Sequence, residues 1–296
     1  MKQGALRKII MTPTRLLLPK HTPDEANTRL TRLLLSNRPF MAARFGAVEI
    51  KAMLYSLLTW PFRNAFRKWA IHDMNMNAGF FPANDETLRR FTHLMLQSMD
   101  RLDVLASWRP EEIYFKRRLR HAYKIPLGTL GGPSLPPAPN VWTKALKGKR
   151  LLVVSPFAKS ITTQYNTRRS KLFGNYSDLI LPPLKSLETV KAVQTIAGNR
   201  GEWRDWFEAL KWMENEISKK DFDTALIGCG AYGFPLAAYV KQLGKQAIHV
   251  GGPLQLYFGI KGKRWDRSGL YNEFWISPSD SERPKNLSKV EGGCYW

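Results

Sequence analysis

Residues 225–240 read ALIGCGAYGFPLAAYV. An apolar run ends in a glycine-rich turn and resumes as an apolar helical pattern, with Gly228, Gly230 and Gly233 in GxGxxG spacing. A buried strand, a tight turn and a helix account for that order. The glycines permit close backbone approach, and the helix start offers free amides to a phosphate. The same spacing also serves close packing of helix on strand, and the residues alone leave both uses open. A dinucleotide site would call for an Asp or Glu about 20 residues on. The next strand end instead reads Ile248-His249-Val250-Gly251-Gly252. A phosphate or nucleotide cradle is therefore expected, with His249 near the substrate, and NAD is not.

Working outward, the same alternation recurs. RLLVVSPF at 150–157 and QAIHVGG at 246–252 read as strands, and helices are expected over 158–173 and 234–243. DLILPPL at 178–184 predicts a further strand, and 186–219 predicts one long helix or two, broken near residues 198–201. Upstream, Thr22 and Pro23 mark a helix start. FMAARFG at 40–46 and VEIKAMLYSLL at 48–58 form a second strand–turn–helix unit, and 85–105 predicts a helix with the basic run KRRLRH following. Short apolar strands between helices imply an α/β fold: a Rossmann-like, mostly parallel, doubly wound sheet with flanking helices. Residues 1–22 form a basic leader, 23–276 the domain, with the Gly/Pro-rich 127–140 as its candidate lobe boundary, and 277–296 a tail.

Three polar groups stand at strand ends. Arg44, Gly46 and Glu49 flank the first turn: Arg44 suits a diphosphate and Glu49 a base or ligand, although an ion pair at the helix start would use the same residues. Ser155, Ser160 and Gln164 suit phosphate or sugar hydroxyls, and helix capping would also use the serines. Asn75 and Asn77, in a dense polar loop, suit substrate recognition or turn chemistry. Lys261, Lys263, Arg264, Trp265, Tyr271 and Trp275 combine charge with rings that can stack on a base or sugar, and a solvated terminal extension would use the same residues.

The 296 residues carry 46 Lys and Arg against 24 Asp and Glu, a net charge of +22. Thirteen basic and three acidic residues fall in the first 70. Such an excess concerns partners, not fold. Nucleic acid, an anionic membrane surface and phosphorylated small molecules are the classes it admits. WPFRNAFRKW at 60–69 reads either as an interfacial patch or as a helix with its aromatics turned inward. No helix-turn-helix, RNP or zinc-finger pattern accompanies the charge, so no nucleic acid is expected. No HExxH, CxxC, GxSxG or P-loop pattern occurs. Cys229 and Cys294 fit no metal spacing and favour a reducing cytoplasm, and no run reaches the ~20 apolar residues of a membrane span.

Together ARFGAVEI, SPFAKSITTQY and LIGCGAYGFPLAAYVKQLGKQAIHVGG resemble the GT-D-type glycosyltransferases over residues 38–275. The resemblance implies a Rossmann-like domain that transfers a hexose from a nucleotide sugar, UDP-linked, to a cell-surface glycan or lipid-linked acceptor, at the inner face of a membrane. Glu49 is then the essential acid. Arg44, Gly46, Ser155, Ser160, Gln164, Gly228, Gly230 and Gly233 hold the nucleotide, and Asn75, Asn77 and His249 the substrate. The family motif reads R-[FIY]-G-D-G-E, and here Ala47 stands in place of its Asp. No tightly bound cofactor is expected, and Mn²⁺ or Mg²⁺ is left with a single carboxylate. A basic nucleic-acid-binding protein and another sugar-nucleotide-dependent enzyme are the rival readings.

Overall fold

A computed structural model of the chain describes residues 21–58, 62–284 and 293–296. Seven strands form one sheet in the order β3-β2-β1-β7-β6-β4-β5. They are β1 Phe40–Ala43, β2 Val104–Ser107, β3 Tyr123–Pro126, β4 Arg150–Ser155, β5 Ser186–Lys191, β6 Thr224–Ile227 and β7 Gln246–His249. Every pairing is parallel, so the expected α/β doubly wound sheet is present. Helices cover both faces, which is why the central strands read as unbroken apolar runs. Ala225 and Ile227 enter one layer while Leu226 enters the other, following the two-residue period of a strand.

The first layer is built by α2 (Ala47–Leu57), α3 (Phe62–Met76), α4 (Asp85–Met99), α6 (Trp206–Ser218) and α7 (Gly233–Gln242). The second holds α1 (Pro23–Leu35) and α5 (Ala158–Arg168), with the turns around Trp142 and Tyr257. Thr22 caps α1 through a capping box with Glu25, and Pro23 sits in its first turn, as the sequence predicts. Asn84 caps α4 through a capping box with Thr87, and the Asp205 carboxylate caps α6 by accepting from the Glu208 amide.

Four boundaries differ from expectation. The helix predicted over 85–105 ends at Met99, and Val104–Ser107 is the separate strand β2. The helix expected to reach residue 173 ends at Arg168. The strand predicted at 178–184 is a single helical turn, Ser177–Ile180, followed by Pro182 and Pro183, which have no N–H to give a ladder. The long helix predicted from 186 is edge strand β5 up to Lys191, with helix only from Trp206. β5 pairs with β4 alone and is only partly buried, so its polar residues hide the strand.

Residues 127–140 are mostly irregular, and strands from either side of them join the one sheet. In the 60–69 patch, Phe66 and Trp69 pack against the first layer while Arg67 and Lys68 face solvent. Its first two residues, the leader up to residue 20 and positions 285–292 of the tail lie outside the described residues. Among the described residues no helix is long and apolar enough to cross a membrane.

Candidate nucleotide-binding cleft

The chain leaves β4 through α5 towards β5 and leaves β6 through α7 towards β7, on opposite faces and in opposite directions. Open α/β sheets place ligands at such a switch point, beyond the carboxyl ends of the strands. A cavity of about 390 Å³ lies there. Its walls come from the segments after every strand except β3, and they include Arg44, Gly46, Glu49, Asn77, Ser155, Gly228 and Gly230.

At the end of β1, Gly46 is the N-cap of α2 and Glu49 lies in its first turn, 9% exposed. The Glu49 carboxylate folds back over Gly46, and a Cβ there would collide with it. Gly46 has an ordinary φ of −74°, so this site needs glycine for space and not for backbone conformation. The Arg44 guanidinium lies against Gly251, whose φ is +79° and where a Cβ would again collide. It also approaches the Trp108 ring, 5.8 Å from the centroid. Trp108 donates its indole N–H to the Phe45 carbonyl at 2.9 Å. Buried Glu112 holds that turn, accepting from the amides of Trp108 and Arg109 and from the Ser107 hydroxyl. Burial raises the Glu112 carboxyl above the usual range, opposed by those same hydrogen bonds.

The glycine motif divides its labour. A Cβ on Gly228 would meet the Gly251 carbonyl at 2.7 Å, and one on Gly233 would enter the His249 ring. Both therefore serve packing. Gly230 lines the cavity with φ +58° and nothing within 4 Å of its Cβ position, so it alone presents bare backbone to open space. His249 is wedged against the start of α7, with Nδ1 3.3 Å from the Ile227 carbonyl. That carbonyl can only accept, so the contact holds the proton on Nδ1. His249 does not line the cavity. Burial, with the nearby Arg44 charge, lowers its pKa from 6.5 to about 3.

A pH dependence follows from that buried imidazole. The unfolded chain binds the proton below pH 6.5 and the folded chain does not, down to about 3. The stability His249 contributes is therefore complete above 6.5 and is lost as pH falls towards 3. Urea unfolding between pH 4 and 7 should show stability rising with pH, with a flatter slope for His249→Gln. Equal slopes in the two proteins would refute a buried neutral imidazole.

The remaining predicted residues separate. Ser155 lines the cavity, and its hydroxyl accepts from the Phe157 amide. Ser160 and Gln164 face away from it. Gln164 donates to the carbonyls of Gly259 and Phe274. Ser160 lies in the first turn of α5, where the carboxylate of Glu282 takes the place expected of a phosphate. Glu282 accepts from the amides of Lys159 (2.8 Å) and Ser160 (3.1 Å) and from the Ser160 hydroxyl (2.5 Å). Asn77 reaches the cavity, whereas Asn75 donates to the Phe80 carbonyl and lines a second depression.

Several lining residues carry no local signal in the sequence. Tyr232 stacks on Trp206 at 4.7 Å and bonds to Thr195, whose hydroxyl donates to the Gly79 carbonyl. Burial pushes the Tyr232 phenol up, so it remains a donor. Burial likewise raises the Cys229 thiol, which keeps it protonated. Tyr295 and Trp296 close the cavity from the far end of the sequence. Tyr295 is held by Arg264, which donates to its hydroxyl at 2.8 Å and lies 4.7 Å from its ring centroid. Of the basic and aromatic residues singled out at 261–275, Arg264 is the one on the cavity wall. Among the described residues Glu49 is the wall's one acidic side chain, and no three His, Cys, Asp or Glu side chains gather as metal ligands.

No family model matches the chain, and no curated protein matches it. Two solved structures are similar at 13% identity, covering 95% of this chain and 96% of their own. One is of the highly conserved domain of unknown function 1792, described as having a distinct glycosyltransferase fold, with a TM-score of 0.44. The other is a selenomethionine-substituted structure of the same domain, with a TM-score of 0.45.

Proposed function

We propose that the chain is a glycosyltransferase whose cleft holds the diphosphate of a nucleotide sugar, UDP-linked, and passes the hexose to a cell-surface glycan or lipid-linked acceptor in the cytoplasm or at the inner face of a membrane. The observation that carries this reading is the meeting, at the switch point, of bare backbone at Gly230, the guanidinium of Arg44 and the carboxylate of Glu49. Among the described residues Arg44 has no carboxylate partner, which leaves its charge for a phosphate. In the reaction, Glu49 takes the proton of the acceptor hydroxyl as its oxygen bonds to the anomeric carbon. The sugar–phosphate bond breaks, and Arg44, with Arg264 on the same wall, stabilises the charge gathering on the leaving diphosphate. Neutral His249 positions the start of α7 and supplies no charge.

The donor set does not fit a protein-held divalent cation, because Ala47 offers no ligand and, among the described residues, Glu49 is the one acidic side chain on the wall. No step above uses one.

Thermal-shift titration with nucleoside diphosphates and nucleotide sugars tests the reading. A selective rise in melting temperature with UDP or a UDP-sugar is expected. Gly230→Val, whose branched side chain would fill the open space, should weaken that affinity roughly tenfold or more, beyond its cost in stability. A flat response to every nucleotide, with tight salt-sensitive DNA binding, would overturn the proposal in favour of nucleic-acid binding.

A further inference from the structure

Beside the cleft lies a second concavity, about 510 Å³, bordered by Arg67, Lys68 and His72 of α3, by Asn75, and by Arg200 from the loop after β5. Its charge is one-sided. Asp85 holds Arg67 through Nε at 3.2 Å and is itself fixed by the Tyr55 hydroxyl at 2.6 Å. The terminal amino groups of Arg67 remain available, on a guanidinium whose orientation is already set. Lys68 and Arg200 have no carboxylate partner among the described residues. Three cations thus converge on one hollow against a single acid. Their mutual repulsion is relieved by an anion, and arginine forks with a lysine suit the oxygens of a phosphate.

The hollow adjoins the cleft. The backbone hydrogen bond from Ala197 to Met76 forms the strap between them. Asn75 borders the hollow and Asn77 the cleft, so at most about 7 Å of chain separates the two walls. Thr195 and Ile196 face the cleft, and Arg200 faces the hollow.

We infer that this basin binds a phosphate group and, resting on the transferase reading, that the phosphate belongs to the acceptor, whose hydroxyl reaches over the strap into the cleft. The phosphate is either a soluble phosphoester or a lipid headgroup, and two measurements distinguish them. Calorimetric titration with inorganic pyrophosphate, in the presence and absence of UDP, reads the site itself. Sedimentation with phosphatidylglycerol vesicles, against phosphatidylcholine, reads the membrane source. The double variant Lys68→Gln/Arg200→Gln should lose at least tenfold in pyrophosphate affinity while binding UDP as the wild type does. A parallel loss of phosphatidylglycerol binding would assign the headgroup, and unchanged vesicle binding the soluble ester.

Pyrophosphate affinity equal in variant and wild type would overturn the basin, as would vesicle binding that depends on the two side chains without any pyrophosphate affinity. If UDP fails to bind the wild type but pyrophosphate affinity still falls in the variant, the phosphate site stands and the transferase reading falls. Full UDP binding with no effect of the variant gives the reverse.

Discussion

Glu49→Gln should lower the transfer rate roughly a hundredfold or more, the range attributed to a positioned general base. The amide is nearly isosteric and can still fold back over Gly46, so the melting temperature should stay within about 2 °C of the wild type. Gly46→Ala offers an independent check. Its backbone is unstrained, but the added methyl occupies the space of the Glu49 carboxylate, so it should cost activity by displacing that group. Steady-state kinetics on both variants, beside their melting curves, decide the matter. Near wild-type turnover by Glu49→Gln would remove this residue from the chemistry.

The largest stability effect is expected at Glu282. The side chain is 2% exposed, and its carboxylate accepts from two α5 amides, from the Ser160 hydroxyl and from the backbone and side chain of Ser279. Glu282→Ala leaves those buried donors without an acceptor, at a cost of about 3 kcal/mol. The fall in melting temperature should be roughly 8 °C. Glu282→Gln, which keeps one acceptor oxygen but turns an NH₂ towards donors, should fall between. An alanine variant melting within about 1 °C of the wild type would show that the α5 amides find water instead.

The two strand–turn–helix units at β1 and β6 were legible because each is contiguous. Apolar strand, glycine and helix follow one another within twenty residues, and Arg44, Gly46, Glu49, Gly228 and Gly230 at the turns line the cleft. The glycine motif could not declare how its members divide, since only the neighbours of each Cβ position distinguish Gly230 from Gly228 and Gly233. Ser160, at a helix start that attracts anions, suits a phosphate, a sugar hydroxyl or a capping role from sequence alone. That the anion is Glu282, more than a hundred residues away, is a tertiary fact. The missed strands have local causes. β2 is four residues long and follows shortly after a helix, and β5 is a partly buried edge strand rich in polar residues. With β2 unseen, Trp108 at its end had no place in the cleft. Tyr295 and Trp296 arrive from a stretch with no regular pattern at all.

The strand order has a consequence for how the molecule assembles. β1 lies between β2 and β7, and Phe40 pairs with Gln246. As the chain is synthesised, β1, β2 and β3 can join early, but β1 then offers an open edge until residues near the far end arrive. Such distant closure is slow, and the waiting edge invites wrong partners. The centre of the sheet and the floor of the cleft are completed in the same event. Nucleotide binding in a pulse-synthesis experiment would therefore rise only after β7 is in place, and no fragment ending before Gln246 should acquire it.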